Sequence, residues 1–125
     1  MRKITISVAE QTFTANLTDS PTAEKLWEAL PVEGKGNVWG EEIYFEIPVS
    51  AHLEPGAKQD VDVGTIAFWP AGNAFCIFFG PTPVSKTEKP RAYSPVNILG
   101  KIEGEVSPLR DVPHGTTVQL TKPDD

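Results

Sequence analysis

The chain has 125 residues, enough for one domain with a hydrophobic core but too few for two. Its formal net charge of −6 argues against nucleic acid or an anionic membrane surface as a partner, because such binding needs clustered Lys and Arg. Its 12 prolines and 10 glycines divide the sequence into short segments, which favours short strands joined by turns over long helices.

Cys76 is the only cysteine, so no internal disulfide can form, and its apolar neighbours in AFCIFF indicate a buried thiol rather than a nucleophile. The N-terminal residues lack the apolar stretch of a signal peptide, and no segment reaches transmembrane length. We therefore expect a cytoplasmic protein.

The first elements follow alternating apolar patterns. Residues 3–8 and 11–17 alternate and are joined by two residues, which predicts an antiparallel hairpin. A helix follows, with Ser20 as its N-cap, Pro21 at its first position and Pro31 after its end. Its single apolar stripe predicts that it packs against a sheet.

Strands return further along the chain. Residues 42–47 alternate, and residues 65–69 and 74–79 are two apolar strands separated by a turn-forming stretch, Pro70 to Asn73. Because the second of these strands is apolar at consecutive positions, both of its faces should be at least partly covered.

The remaining segments complete the predicted fold. Residues 81–95 hold four prolines and should form a long exposed loop, followed by a strand that bends near Gly100, a single helical turn and a last strand. The pattern predicts a mainly β protein with one domain over residues 1–125. Its architecture should be a closed barrel of about eight mostly antiparallel strands, with one amphipathic helix capping an opening.

Motifs of common enzymes are absent from the sequence. It has no P-loop, no GxGxxG turn after a strand, no HExxH and no GxSxG, and its two histidines match no ligand spacing, so we expect neither a metal nor a cofactor. Glu41 and Glu42 are neighbours, but on a strand their side chains would point to opposite faces and could not act as an acid–base pair.

Aromatic residues are the richer signal. They cluster on segments predicted to be adjacent, and with Phe78 and Phe79 consecutive, one of the two must leave the barrel interior. A ligand site is therefore expected where an outward aromatic side chain meets Trp69 and Tyr44.

Three stretches carry a resemblance to a known family: WGEEIYF (39–45), DVGTIAFWPAGNAFCIFFGPTP (62–83) and VNILGKI (96–102). Together they resemble a small prokaryotic group of cyclophilin-like proteins, minimal barrels of about this length with no settled function. The resemblance covers nearly the whole chain, since the hairpin, the helix and the EIYFEIP strand also follow the cyclophilin order.

The resemblance also bears on activity. Cyclophilins isomerise X–Pro bonds with an Arg that holds the proline carbonyl, whereas the matching position here is Phe45 or, in a shifted register, Glu46. Neither side chain can donate hydrogen bonds as a guanidinium does. The groove-floor phenylalanine is matched by Phe79, or by Phe78 if the register shifts.

The sequence thus favours a domain that binds a peptide or a small ligand in an aromatic surface groove and is not an efficient isomerase. The candidate ligand-binding residues are Trp39, Glu42, Tyr44, Glu46, Phe68, Trp69, Phe75, Phe79 and Asn97. Two alternatives stay open: a weak prolyl isomerase that recruits Arg91 from the long loop, and an interaction module whose aromatic face forms a homodimer. An acidic rim would favour a cationic or neutral ligand over a phosphate.

Overall fold

A computed structural model describes residues 2–123 and contains ten strands, one α-helix and one 3₁₀-helix. The strands are β1 (Lys3–Val8), β2 (Gln11–Leu17), β3 (Val32–Lys35), β4 (Asn37–Val38), β5 (Glu42–Glu46), β6 (Lys58–Asp60), β7 (Thr65–Trp69), β8 (Ala74–Phe78), β9 (Arg91–Ile102) and β10 (Thr117–Thr121). The helix α1 spans Pro21–Ala29, and the 3₁₀-helix spans Ser107–Asp111. The fold is mainly β, as predicted.

The strands form a single antiparallel sheet in the order β3-β10-β1-β2-β9-β7-β8-β5-β4, with β6 paired to β9 beside it. The predicted closed barrel is wrong in this respect, because the sheet is not closed among the residues described. Its two end strands are nevertheless consecutive in sequence, separated only by Gly36. β3 bonds to β10 and β4 bonds to β5, so the chain changes partners at Gly36 instead of continuing one ladder.

Three segments differ from their predicted form. The expected loop over residues 81–95 ends at residue 90, because Arg91 already begins β9. The register between β6 and β9 shifts between the pairs Lys58–Val96 and Asp60–Arg91. Pro95 lies in this irregular stretch, where the backbone N–H that proline lacks is not needed for pairing. Short strands also form at 32–35, 37–38 and 58–60, which raises the count from about eight to ten.

The main core lies between one face of the sheet and α1. Ser20 caps the helix by accepting a hydrogen bond from the backbone N–H of Ala23 at 3.2 Å, and Pro21 begins it, as predicted. Leu26 from the helix is fully buried in this core. No helix within residues 2–123 is long and apolar enough to cross a membrane.

A second, smaller cluster covers the opposite face of the sheet. Along β8, Phe75 and Ile77 belong to the main core, whereas Cys76 and Phe78 belong to the second cluster. The complete second cluster consists of Val61, Ala67, Cys76, Phe78, Ala92 and Val96. Both faces of β8 are therefore covered, as its consecutive apolar residues predict.

Covering both faces also decides the places of Phe78 and Phe79. One of them, Phe78, does leave the barrel interior, as expected, but neither ring is exposed, since Phe78 is 0% and Phe79 is 3% exposed. They point to opposite faces, but Phe79 packs in the main core and Phe78 in the second cluster. Burying both rings was possible because residues of β9 fold over the outer face, which the loop prediction had missed.

Candidate functional site

A pocket of about 230 Å³ opens on the sheet face that carries the second cluster. Its floor consists of small or buried side chains from β5, β8 and β9, and large rings stand around it. Rings flanking small residues leave a space that the neighbouring side chains cannot fill. The residues that line this aromatic pocket are Trp39, Glu42, Tyr44, Trp69, Cys76, Ala92, Tyr93 and Val96.

The four rings form a continuous wall through edge-to-face contacts. The ring centroids of Tyr44 and Trp69 are 6.4 Å apart, those of Trp69 and Tyr93 are 6.1 Å apart, and those of Trp39 and Tyr93 are 6.2 Å apart. The interplanar angles of 77°, 80° and 72° are those that aromatic quadrupoles prefer. Each ring in this wall is therefore held by at least one other.

Trp69 is fixed from two further sides. Its indole N–H donates a hydrogen bond to the Ser94 hydroxyl at 2.6 Å. Gly72 lies against the indole, since a Cβ at this position would come within 2.5 Å of the ring. The turn between β7 and β8 thus needs glycine there, and the Trp69 ring is oriented before any ligand arrives.

A tight turn brings Trp39 and Glu42 to the same pocket. The backbone N–H of Trp39 donates to the Glu42 carbonyl at 2.9 Å, and the N–H of Glu42 donates to the Trp39 carbonyl at 3.2 Å. Gly40, inside the turn, has a φ of +60°, the left-handed conformation that glycine adopts without strain. The turn therefore couples the position of the carboxyl group to that of one aromatic wall residue.

Glu42 is the chemically unusual residue of the pocket. It is only 5% exposed, and its Oε1 atom is buried without a hydrogen-bond partner among the residues described. Burial raises the pKa of Glu42 to about 7, while the neighbouring Cys76 thiol acts in the opposite, lowering direction. At neutral pH the carboxyl group therefore changes readily between its acid and carboxylate forms.

The neighbouring thiol is not suited to nucleophilic chemistry. Cys76 is 1% exposed, and burial, followed by the charge of Glu42, raises its thiol pKa well above the ordinary value. The thiolate form is thus disfavoured, which agrees with the sequence-based interpretation of Cys76 as a buried thiol. Its contribution to the pocket is a small, polarisable floor.

Glu41 and Glu42 have different surroundings, although Glu41 lies in the turn before β5 and not on the strand itself. The carboxylate of Glu41 forms an ion pair with the Nε atom of Arg110 at 2.5 Å and lies against Gly80. It lines a separate, more polar cleft beside the 3₁₀-helix, whereas Glu42 lines the aromatic pocket. The two carboxylates do not share a site.

The structure brings four of the nine predicted ligand-binding residues together: Trp39, Glu42, Tyr44 and Trp69. The side chains of the other five lie elsewhere. Glu46 is exposed at the far end of β5, opposite Ala74, and the main core holds Phe68, Phe75 and Phe79. Phe68 and Phe75 lie on strands and Phe79 directly follows β8, and all three side chains pack on the α1 side of the sheet.

The side chain of Asn97 makes hydrogen bonds within the protein and does not line the pocket. Its Oδ1 accepts a hydrogen bond from the Glu54 backbone N–H at 2.8 Å. Its Nδ2 donates to the Thr22 hydroxyl at 3.0 Å and to the His52 carbonyl at 2.9 Å. These bonds tie β9 to α1 and to the connection before β6, on the side away from the pocket.

Sequence reasoning missed two pocket segments. Ala92 and Tyr93 lie in the first half of β9, where the prolines had indicated a loop. Val96 was predicted on a strand but not as a site residue, and Cys76 was treated only as core. Tyr93 is 69% exposed, and an exposed tyrosine beside a proline-rich segment was the available signal. That signal could not be connected to Trp69 without the strand pairing.

Stability should depend on pH through Glu42. Because its folded-state pKa lies above that of an unfolded glutamate, the unfolded state loses its proton first, and stability falls as pH rises from the ordinary value of 4.5 to about 7. The shift corresponds to a loss of about 3 kcal/mol. Urea unfolding of Glu42→Gln at a series of pH values should lack this fall.

The matched control is Glu41→Gln, since Glu41 is paired with Arg110 outside the pocket. It should keep the wild-type decline. An unchanged decline in Glu42→Gln would contradict the assignment of the raised pKa to Glu42.

Comparisons with known proteins agree with this fold. The family model described as cyclophilin-like matches residues 2–121. The chain is also similar to the solution structure of the hypothetical protein AF2241 from Archaeoglobus fulgidus, with a TM-score of 0.83 and 33% identity over 98% of this chain and 95% of that one. A comparison with curated proteins gives no match. The chain belongs to the cyclophilin-like family.

Proposed function

We propose that this cyclophilin-like domain binds a small ligand in the aromatic pocket and is not an efficient prolyl isomerase. The observation that carries the proposal is the buried, unpartnered Oε1 of Glu42. Buried polar atoms in folded proteins nearly always have a partner, and exceptions concentrate at functional sites. A ligand that pairs with this oxygen would supply the missing interaction.

The form of the pocket supports a ligand of limited size. Its volume of about 230 Å³ lies below the range of about 300–1,000 Å³ that drug-sized ligands occupy. A small molecule, or a single side chain of a peptide, fits this space better than an extended peptide. The prepared orientation of Trp69 lowers the entropy cost of binding, because its ring is already held by Ser94.

The absence of an available guanidinium supports the second half of the proposal. Among the residues described, no arginine lines the aromatic pocket. Arg91, the one donor that the sequence offered, directs its guanidinium to the Asp60 carboxylate at 3.2 Å and to the Gln59 side chain at 3.3 Å. The donor needed to hold a proline carbonyl is therefore already paired on the β6 side of β9.

Ligand-observed NMR with a mixture of common metabolites tests the binding function. At least one compound should bind, and its signal changes should be strongly reduced with Tyr93→Ala. Tyr93 is 69% exposed, so its truncation opens the pocket wall at little cost in folding stability. The control is Leu53→Ala, which removes a side chain that is also exposed, at 55%, and lies outside the pocket.

Binding that survives Tyr93→Ala and Trp39→Ala unchanged would place the ligand elsewhere. The proposal of a ligand pocket is contradicted if no compound in the mixture binds and no metabolite co-purifies with the wild-type protein.

A protease-coupled assay with a proline-containing peptide tests the catalytic half. The protein should leave the peptide at its uncatalysed isomerisation rate, because no arginine within residues 2–123 lines the pocket. A measurable acceleration that Arg91→Ala abolishes would contradict the proposal and favour the isomerase alternative. Arg110→Ala, which removes the partner of Glu41, is the matched control.

A further inference from the structure

We propose that the aromatic pocket recognises a small organic cation, of the alkylated ammonium type, between its rings and the Glu42 carboxylate. This inference rests on the proposed ligand-binding function and specifies its ligand class. Two independent features carry it: the arrangement of four electron-rich rings around one space, and a single charged group at its base.

The rings provide the first feature. The negative faces of Trp and Tyr rings attract cations, and several such rings around one space form the aromatic cages that bind quaternary ammonium groups. Trp39, Tyr44, Trp69 and Tyr93 make this kind of enclosure, with neighbouring centroids 6.1–6.4 Å apart. Because the rings meet edge to face, they are turned at steep angles to one another and can surround a compact group rather than stack on a flat one.

Glu42 provides the second feature. It is the only residue of formal charge that lines the pocket in the part of the chain that is described, and no Lys or Arg accompanies it. Leaving a carboxylate in such a position is costly unless an opposite charge arrives. A bound cation would offset this cost, whereas an anion would meet both the carboxylate and the negative ring faces.

Two other ligand classes fit less well. A metal ion needs several oxygen, nitrogen or sulfur ligands, and no group of three His, Cys, Asp or Glu side chains within residues 2–123 could hold one. A ligand with strong hydrogen-bond acceptors would be repelled by the Glu42 carboxylate, and one donor of the pocket, the indole N–H of Trp69, is already bonded to Ser94. An ammonium group with bulky alkyl substituents needs neither feature.

Paired probes separate the effect of charge from that of shape. Choline presents a trimethylammonium group, and the neutral alcohol in which a tert-butyl group replaces trimethylammonium has almost the same shape. Titrations are followed by the indole N–H signals in NMR. The signals of Trp39 and Trp69 should shift with choline, whereas that of Trp27, which lies in α1 beside Arg2 and Lys122, should not.

Choline should bind at least about tenfold more tightly than the neutral alcohol, because cation–π attraction and the carboxylate act on the charged probe only. Glu42→Gln should reduce this preference, because loss of the carboxylate weakens the binding of choline much more than that of the alcohol. Glu41→Gln, in the neighbouring cleft, should behave as the wild type.

The affinity for choline should rise with pH. Only the carboxylate form of Glu42 attracts the cation, and with its pKa at about 7 the competent fraction grows about tenfold between about pH 6 and 8. The other titratable groups that face the pocket are the Cys76 thiol, on β8, and the phenols of Tyr44 and Tyr93. A merely structural role of Glu42 would not produce this dependence, and Glu42→Gln should lack it.

Each outcome has a defined meaning. Equal binding of choline and the alcohol overturns the cation inference but leaves the ligand-binding function standing. If neither probe shifts the indole N–H signals of Trp39 or Trp69, the result counts against both the cation inference and the ligand-binding function. A peptide with a trimethylated lysine serves as a third probe: tighter binding of this peptide than of choline would support the same chemistry with a protein side chain as its source.

Discussion

A buried carboxyl group among aromatic rings is the constraint on which the account of this protein depends. Glu42 is 5% exposed, and its Oε1 has no partner among the residues described. Evolution could remove the resulting cost with a glutamine or an apolar side chain on the same strand, because neither would carry a charge into the pocket. The ligand proposed for the pocket would supply the interaction that this carboxyl group lacks.

The pocket exists because the sheet is covered on both faces. One face packs on α1 and forms the main core, while the first half of β9 and the residues around Val61 fold over the other. Small side chains at Cys76 and Ala92 leave space beneath that cover, and the rings of Trp69 and Tyr93 border it. The same packing that stabilises the outer face therefore also positions a site, and β9 takes part in both.

The hairpin, the α1 helix with its Ser20 cap and the β7–β8 pair were all predictable, because each follows from a local pattern of alternation, spacing or turn residues. The path of β9 was not, since Pro95 looks like a loop residue until the shifted β6–β9 register is known. The prediction of the site lacked the same information about the pairing of β9. Alternation on one strand placed Glu42 and Tyr44 together, and the clustering of aromatic residues on segments predicted to be adjacent added Trp39 and Trp69. Tyr93 enters the wall only through long-range pairing. The phenylalanines were misplaced because composition does not say which face of a strand meets the main core.

A direct titration of Glu42 tests the central claim most sharply. In the ligand-free protein, the side-chain carboxyl carbon of each glutamate can be followed by NMR as pH is raised, with Glu42→Gln used to assign its signal. Burial of the Glu42 side chain predicts a midpoint at about 7. A midpoint near the ordinary glutamate value of 4.5 would mean that the carboxylate is solvated or already paired, and would contradict the account.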